Sequence, residues 1–319
     1  MTYNNNTIQH NLSSNKQPSV FQLSILIAGF ERFGFYILAD SLILYLENAL
    51  GFSDHNANIL YSALNTLVYS APVIGGYLAD NIIGIRRAII FGLILEGLGQ
   101  LCLALPDKIF LYLGISLIAT GVGFFKTAPT NLMARAYTKD DPRIDSGYTL
   151  FYMAMNIGSA VSAILAGFLQ RYFGWHIIFF IASIGTYLGL VFYSIFRLRA
   201  KPLDVEVGQH KVSTKTLILL ILGIIVAVVI IAFLAYKPNT ARVVFYLISA
   251  CVFAYFFYEI YRSPSDEKRK ITACLILILI GMVFFMMYFQ RYTSVLLFID
   301  RSVRHTLFGS TIPSIAMLA

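Results

Sequence analysis

VFQLSILIAGFERFGFYILADSLILYL, residues 20–46, is an apolar run with Glu31 and Arg32 side by side near its middle. About 20 apolar residues cross the hydrocarbon core of a bilayer as a helix, so the run reads as a membrane span. A charged side chain at the centre of such a helix costs roughly 2.5–3.5 kcal/mol on insertion scales, and an intramembrane ion is by default a functional group with a partner to be found. The pattern recurs along the chain, which offers nine candidate spans at about 20–47, 57–80, 85–105, 109–133, 147–170, 175–197, 216–235, 243–262 and 271–298.

The composition excludes an ordinary soluble domain: 58% of the 319 residues are hydrophobic, 13% are charged, and the mean hydropathy is +0.73. An all-α polytopic membrane protein is expected. Residues 1–19 are rich in Asn and Ser and lack the basic start and cleavage site of a signal peptide, so they read as a disordered cytoplasmic tail. The net charge of +8 is a matter of topology. With the N-terminus cytoplasmic, inner segments carry fifteen Lys and Arg and outer segments six, the bias that orients membrane proteins. That distribution excludes nucleic acid as a partner and makes the lipid bilayer the expected one. Cys102, Cys251 and Cys274 fall in apolar runs without metal-ligand spacing and are expected to be small core residues, so no metal or cofactor is implied.

Spans one to six, residues 20–197, follow one another closely and form one expected bundle. A charged linker at 198–215 separates them from a hairpin, 216–262, whose first helix has no buried charge and is expected to face lipid. Residues 263–319 then hold one further span. Six helices, a basic central loop and a new bundle is the layout of a major-facilitator transporter, whose halves rock about a midplane site.

The polar residues inside these spans are few. Lys126 lies in GFFKTAPTNL of span four and needs a partner or water; Glu31 of span one is the natural candidate, and Asn156 adds an amide from span five. Neighbours on a helix point about 100° apart, so Glu31 and Arg32 are free to serve different partners, while Tyr36 lies one turn from Arg32 on its face. Tyr69 brings a hydroxyl from span two. A plain packing role fits both tyrosines equally well. Cations for a carboxylate, Glu31 for an ammonium and Asn156 for an amide would together suit a small zwitterion. Glu96, in LILEGLGQ, reads as a tolerated groove-facing acid, with a functional role as the alternative. No H-E-x-x-H and no Ser/His or paired-Asp arrangement in the spans suggests an enzyme.

GGYLADNIIGIRR (75–87) resembles the signature loop of the major-facilitator superfamily. FERFGFY, GFFKTAPTNL, YTKDDPRIDSGYTLFYMAMNIGS and FQRYTSVLLFIDRSVRHTLFG, in that order, are together similar to the proton-coupled oligopeptide transporter family, nearest its bacterial dipeptide and tripeptide permeases. The resemblance covers residues 20 to about 313 and implies a six-helix bundle, an inserted hairpin and the first helix of a second bundle. It implies that Glu31, Arg32 and Lys126 handle the proton, and that Arg32, Tyr36, Tyr69, Lys126, Asn156 and Gln290 line a peptide cavity. Asp80, Arg86 and Arg87 would form a cytoplasmic latch. The chain departs from the family pattern at Ala28, where the motif's first Glu is expected, at Phe35 in place of a tyrosine, and at Arg291 in place of a neutral residue. The family's last five helices have no counterpart, so a C-terminally truncated member is expected.

The resulting expectation is proton-driven symport of dipeptides and tripeptides across a bacterial inner membrane. A separate chain supplying the remaining helices is the partner this expectation calls for. The alternative is a non-transporting remnant or a membrane-bound binding or interaction protein.

Overall fold

A computed structural model describes residues 17–137, 141–196, 213–307 and 310–318. The expected tail through residue 16 and most of the expected central linker lie outside the described residues. The chain forms α1 (Ser19–Leu44), α2 (Asp54–Leu78), α3 (Ile85–Leu103), α4 (Lys108–Phe125), α5 (Ala128–Ala134), α6 (Ile144–Phe173), α7 (Trp175–Phe196), α8 (Thr214–Tyr236), α9 (Pro238–Arg262), α10 (Ser265–Tyr288) and α11 (Ser294–Ser302). π-helical turns extend α1 over Tyr45–Ala49 and α2 over Ala79–Ile83. A pair of two-residue strands, β1 (Thr306–Leu307) and β2 (Ser310–Thr311), is the sole sheet among the described residues.

The nine expected spans are present with two changes. Eight spanning stretches are long and apolar by composition; the ninth, α3, differs in carrying three charged residues, Arg86, Arg87 and Glu96, within 19 residues. Span four is not one helix: α4 stops at Phe125 and α5 begins at Ala128. Pro129 explains the break, since it has no N–H to offer the carbonyl four residues earlier. The last span is likewise interrupted, by a 3₁₀ turn at Phe289–Tyr292 between α10 and α11.

Helix packing builds the site. α1 lies against α6 and α7, and α3 lies between α4 and α7. Gly75 and Gly123 are what let α2 and α4 cross so closely: a Cβ on Gly75 would stand 2.1 Å from the Gly123 carbonyl oxygen. Gly84 closes the α2–α3 turn at φ 83°, a left-handed geometry that only glycine adopts without strain.

The hairpin α8–α9 is largely outward-facing, with Leu220, Val228 and Ala235 of α8 buried against the bundle. Cys251 and Cys274 are exposed and Cys102 is partly so, which corrects the expectation of core cysteines: the helices that carry the first two turn most of their apolar surface outward. The end of the described chain returns to the first helices. Arg301 bridges Asp54 (2.6 Å) and Glu47 (2.7 Å), and Arg171 donates to the Thr311 carbonyl at 3.1 Å.

Candidate functional site

The centre of α1 sets the site. Glu31 is fully buried and is gripped by its own neighbour: Arg32 Nε donates to Oε2 at 2.6 Å and Nη2 to Oε1 at 2.5 Å. This corrects two expectations at once, because Glu31 and Arg32 do not serve different helices and Glu31 is not the direct partner of Lys126. Backbone directions 100° apart do not prevent pairing when both side chains are long enough to bend round and meet as a two-point fork. Arg32 keeps 13% of its side chain exposed, and its guanidinium lies 4.9 Å from the Phe35 ring and 5.9 Å from Tyr36. Tyr36 is therefore on the Arg32 face, as its spacing predicts.

Lys126 occupies the break between α4 and α5, so it is not held in mid-helix. Its Nζ rests 3.4 Å from the centroid of the half-exposed Tyr69 ring, and Tyr69 meets Phe289 edge-on at 5.3 Å. A cation over an aromatic face is attracted by the ring quadrupole while leaving room for an anion on its other side. The 3₁₀ turn that supplies Phe289 also carries Gln290, which is exposed and accepts a bond from Ser294 at 2.7 Å. Asn156 is exposed as well, against the expectation that it is buried with the charges. Gly158, one half-turn on, packs on α1: a Cβ on it would stand 2.7 Å from the Gly29 carbonyl oxygen and 3.5 Å from the Arg32 Cβ.

The residues of the expected latch lie at the α2–α3 turn. Asp80 accepts from Asn131 at 3.4 Å and lies 4.0 Å from Arg135, whereas Arg87 donates to the Ile83 carbonyl at 3.2 Å. Arg86 stands in the first turn of α3.

Two buried acids escaped the sequence reading or were misread by it. Glu96 is fully buried rather than groove-facing; the glycines at 92, 97 and 99 around it are the signal, since they draw neighbouring helices over that stretch of α3. Asp40 is fully buried in α1, and Arg291 is the cation that acts on it. Its lone position in ADSLIL was the clue. No group of three or more His, Cys, Asp or Glu among the described residues can hold a metal ion.

The helical bundle, with an ion pair behind a cation-lined opening, has the fold of the major-facilitator type. The family model described as the POT family matches residues 86–319, and the chain belongs to that family. It is 34% identical over 313 residues to dipeptide and tripeptide permease A of Pectobacterium carotovorum, covering 97% of this chain and 62% of that one. The permease of the same name from Escherichia coli is 31% identical over 300 residues, covering 93% and 60%. A solved bacterial homologue of the human drug peptide transporters superposes with a TM-score of 0.83 at 29% identity, covering 93% of this chain and 66% of that one. The chain thus spans about three-fifths of the length of these curated relatives. They are permeases and not enzymes.

Proposed function

We propose that this protein takes part in proton-coupled transport of dipeptides and tripeptides across a bacterial inner membrane, with its N-terminus in the cytoplasm. The observation that carries this is the pairing of a buried Glu31–Arg32 fork with a second cation, Lys126, that stands over Tyr69 at the open side. The named activity of the permease relatives supports the substrate class.

In this reading the carboxylate of a peptide meets Lys126 and the exposed edge of Arg32, while Tyr36, Tyr69, Asn156 and Gln290 line the space for its side chains and amide. As the carboxylate draws Arg32 away, Glu31 loses the two donors that favour its ionised form and becomes easier to protonate. Each charge carried inward across the membrane field contributes about 2.3 kcal/mol per 100 mV. Residues 20–197 act as one bundle, 216–262 as an inserted hairpin, and the segment from 263 as the start of a facing bundle, with Asp80, Arg86 and Arg87 at the cytoplasmic latch.

The test is uptake of a labelled dipeptide into proteoliposomes containing the protein, with and without an inward proton gradient. Gradient-driven accumulation that Lys126→Ala removes is expected. Accumulation that ignores the gradient, or that survives Lys126→Ala unchanged, would overturn the reading; binding without accumulation would favour a membrane-bound binding protein instead.

A further inference from the structure

Glu96 stands behind the Glu31–Arg32 fork as a second carboxyl. It projects from the middle of α3, has no exposed surface, and neither of its oxygens has a hydrogen-bond partner of its own among the described residues. Its position is built: a Cβ on Gly121 of α4 would stand 2.7 Å from the Glu96 Cγ, so the glycine is what makes room for the side chain. α1 and α3 meet one turn further on, where a Cβ on Gly34 would stand 2.9 Å from the Gln100 Nε2, and this contact sets Glu31 and Glu96 beside each other, with Glu31 and Arg32 the charged groups that act on Glu96. Position 28, one turn before Glu31, is a buried alanine, so α1 supplies no second acid there.

Two ionised carboxylates are acceptors only and repel, whereas one proton between them gives a hydrogen bond. We propose that Glu96 is a proton-binding residue, forming with Glu31 a carboxyl pair that holds one shared proton, its remaining negative charge balanced by Arg32.

The surrounding charges agree with this. Lys126 acts on Glu31 and Arg32 and is committed to the Tyr69 ring, so it is not the counter-ion of Glu96. α4 packs against Glu96 through Gly121, and α7 brings the Tyr187 ring against Gly97 and the Thr186 hydroxyl to Gln100. The charged groups facing Glu96 are therefore Glu31 and Arg32, both from α1. With one proton on the carboxyl pair the cluster is neutral, and without it the cluster carries a net negative charge in a dry chamber. When an anion draws Arg32 toward the open side, the pair loses its counter-charge and a second proton enters onto Glu31; one proton is taken up and none is released. Only this last step rests on the proton-coupled reading. The location of the resident proton does not.

Infrared spectroscopy of the protein in lipid tests the site directly through the carbonyl stretch of a protonated carboxyl. At neutral pH a band that shifts in deuterated water is expected, kept in Asp40→Asn, which removes another buried acid, and lost in Glu96→Gln. Glu31→Gln provides a second arm: its amide donates to Glu96 and Arg32 is freed to pair with it, so Glu96 ionises and the band is again lost. Absence of the band from the parent, or its survival in either glutamine variant, overturns the proposal. Peptide affinity measured against pH separates the site from the transport reading. One linked proton changes affinity by at most about tenfold per pH unit, and the double variant Glu31→Gln with Glu96→Gln, which leaves no carboxyl to take up that proton, is expected to flatten the slope. Loss of the band in Glu96→Gln with affinity flat in every form would uphold the proton site and sink the coupling. A steep slope in the parent with slope and band both unchanged in Glu96→Gln would do the reverse.

Discussion

The charged residues of the first bundle fall into two regions that the sequence writes in the same way. Glu31 and Glu96 are sealed between α1, α3 and α4, where glycines bring the helices to contact. Lys126, Tyr69, Asn156 and Gln290 lie where the packing is interrupted, at the α4–α5 break, on the open face of α6 and at the 3₁₀ turn after α10. All sit in apolar runs. The difference teaches that local backbone regularity sorts intramembrane charge: uninterrupted helices with small residues make a dry chamber, and a helix break makes a wet one. Arg32 belongs to both, with its fork in the chamber and its edge outside.

The largest effect is expected from removing the residue that joins the two regions. Arg32→Ala leaves Glu31 buried without a counter-charge, a class of change that costs about 3–5 kcal/mol. Unfolding in detergent should show a loss of that size, mostly recovered when Glu31→Gln is added and poorly recovered by Arg32→Lys, which lacks the two-point fork. A variant as stable as the parent would mean that water reaches Glu31 and that the chamber is not dry. Smaller, and specific to the chamber wall, is Gly121→Ala. The new methyl would stand 2.7 Å from the Glu96 Cγ and 2.8 Å from the Gly92 carbonyl oxygen, and overpacking of this kind costs about 1–3 kcal/mol. The same exchange at Gly223 of α8, where nothing lies within 4 Å, should leave the melting temperature unmoved.

Much of this was legible in the sequence because a bilayer leaves the backbone few choices: every span must satisfy its own hydrogen bonds, so apolar length alone places the helices. What failed to read were details decided between helices. The Glu31–Arg32 fork depends on side-chain bending that no periodicity encodes. Pro129 stood in plain view in GFFKTAPTNL, yet an apolar run on both sides made an uninterrupted helix the simpler expectation within what is still one span. Glu96 was read as groove-facing because one helix cannot show that Gly121 of another opens a pocket for it. Cys251 and Cys274 were assigned to a core that α9 and α10, turned outward, do not form. Asn156 and Gly158 point to opposite sides of α6, and it is the glycine's side that packs on α1; which side of that helix is covered is a tertiary fact.

On the open side the expected stability effects shrink while the functional ones remain. Tyr69→Ala removes a ring held against Lys126, and such a contact at a partly exposed site contributes about 0.5–1 kcal/mol. A barely changed melting temperature with weakened peptide binding is the expected result, the opposite of Arg32→Ala. A large loss of stability with intact binding would move Tyr69 to the structural side of the comparison.

The smallest effect is expected from an acid outside the spans, which provides a reference for both regions. Asp141 takes two side-chain bonds from Arg143, at 2.9 and 2.7 Å, and a third from the Arg143 backbone N–H at 2.9 Å. Those donors favour the carboxylate and hold Asp141 below the ordinary aspartate range. A depressed acid contributes stability that is complete above its unfolded value and disappears as pH falls through its lower folded value. Amide exchange over residues 141–147 should therefore quicken only under acid conditions, below the ordinary aspartate range, and Asp141→Asn should already be loosened at neutral pH, with the acid response gone. The Glu31–Glu96 pair is buried and answers to the position of Arg32, so peptide should alter its behaviour and leave the Asp141 loop as it was. Peptide that shifted both equally would erase the distinction between a sealed site and a loop pair that answers to solvent alone.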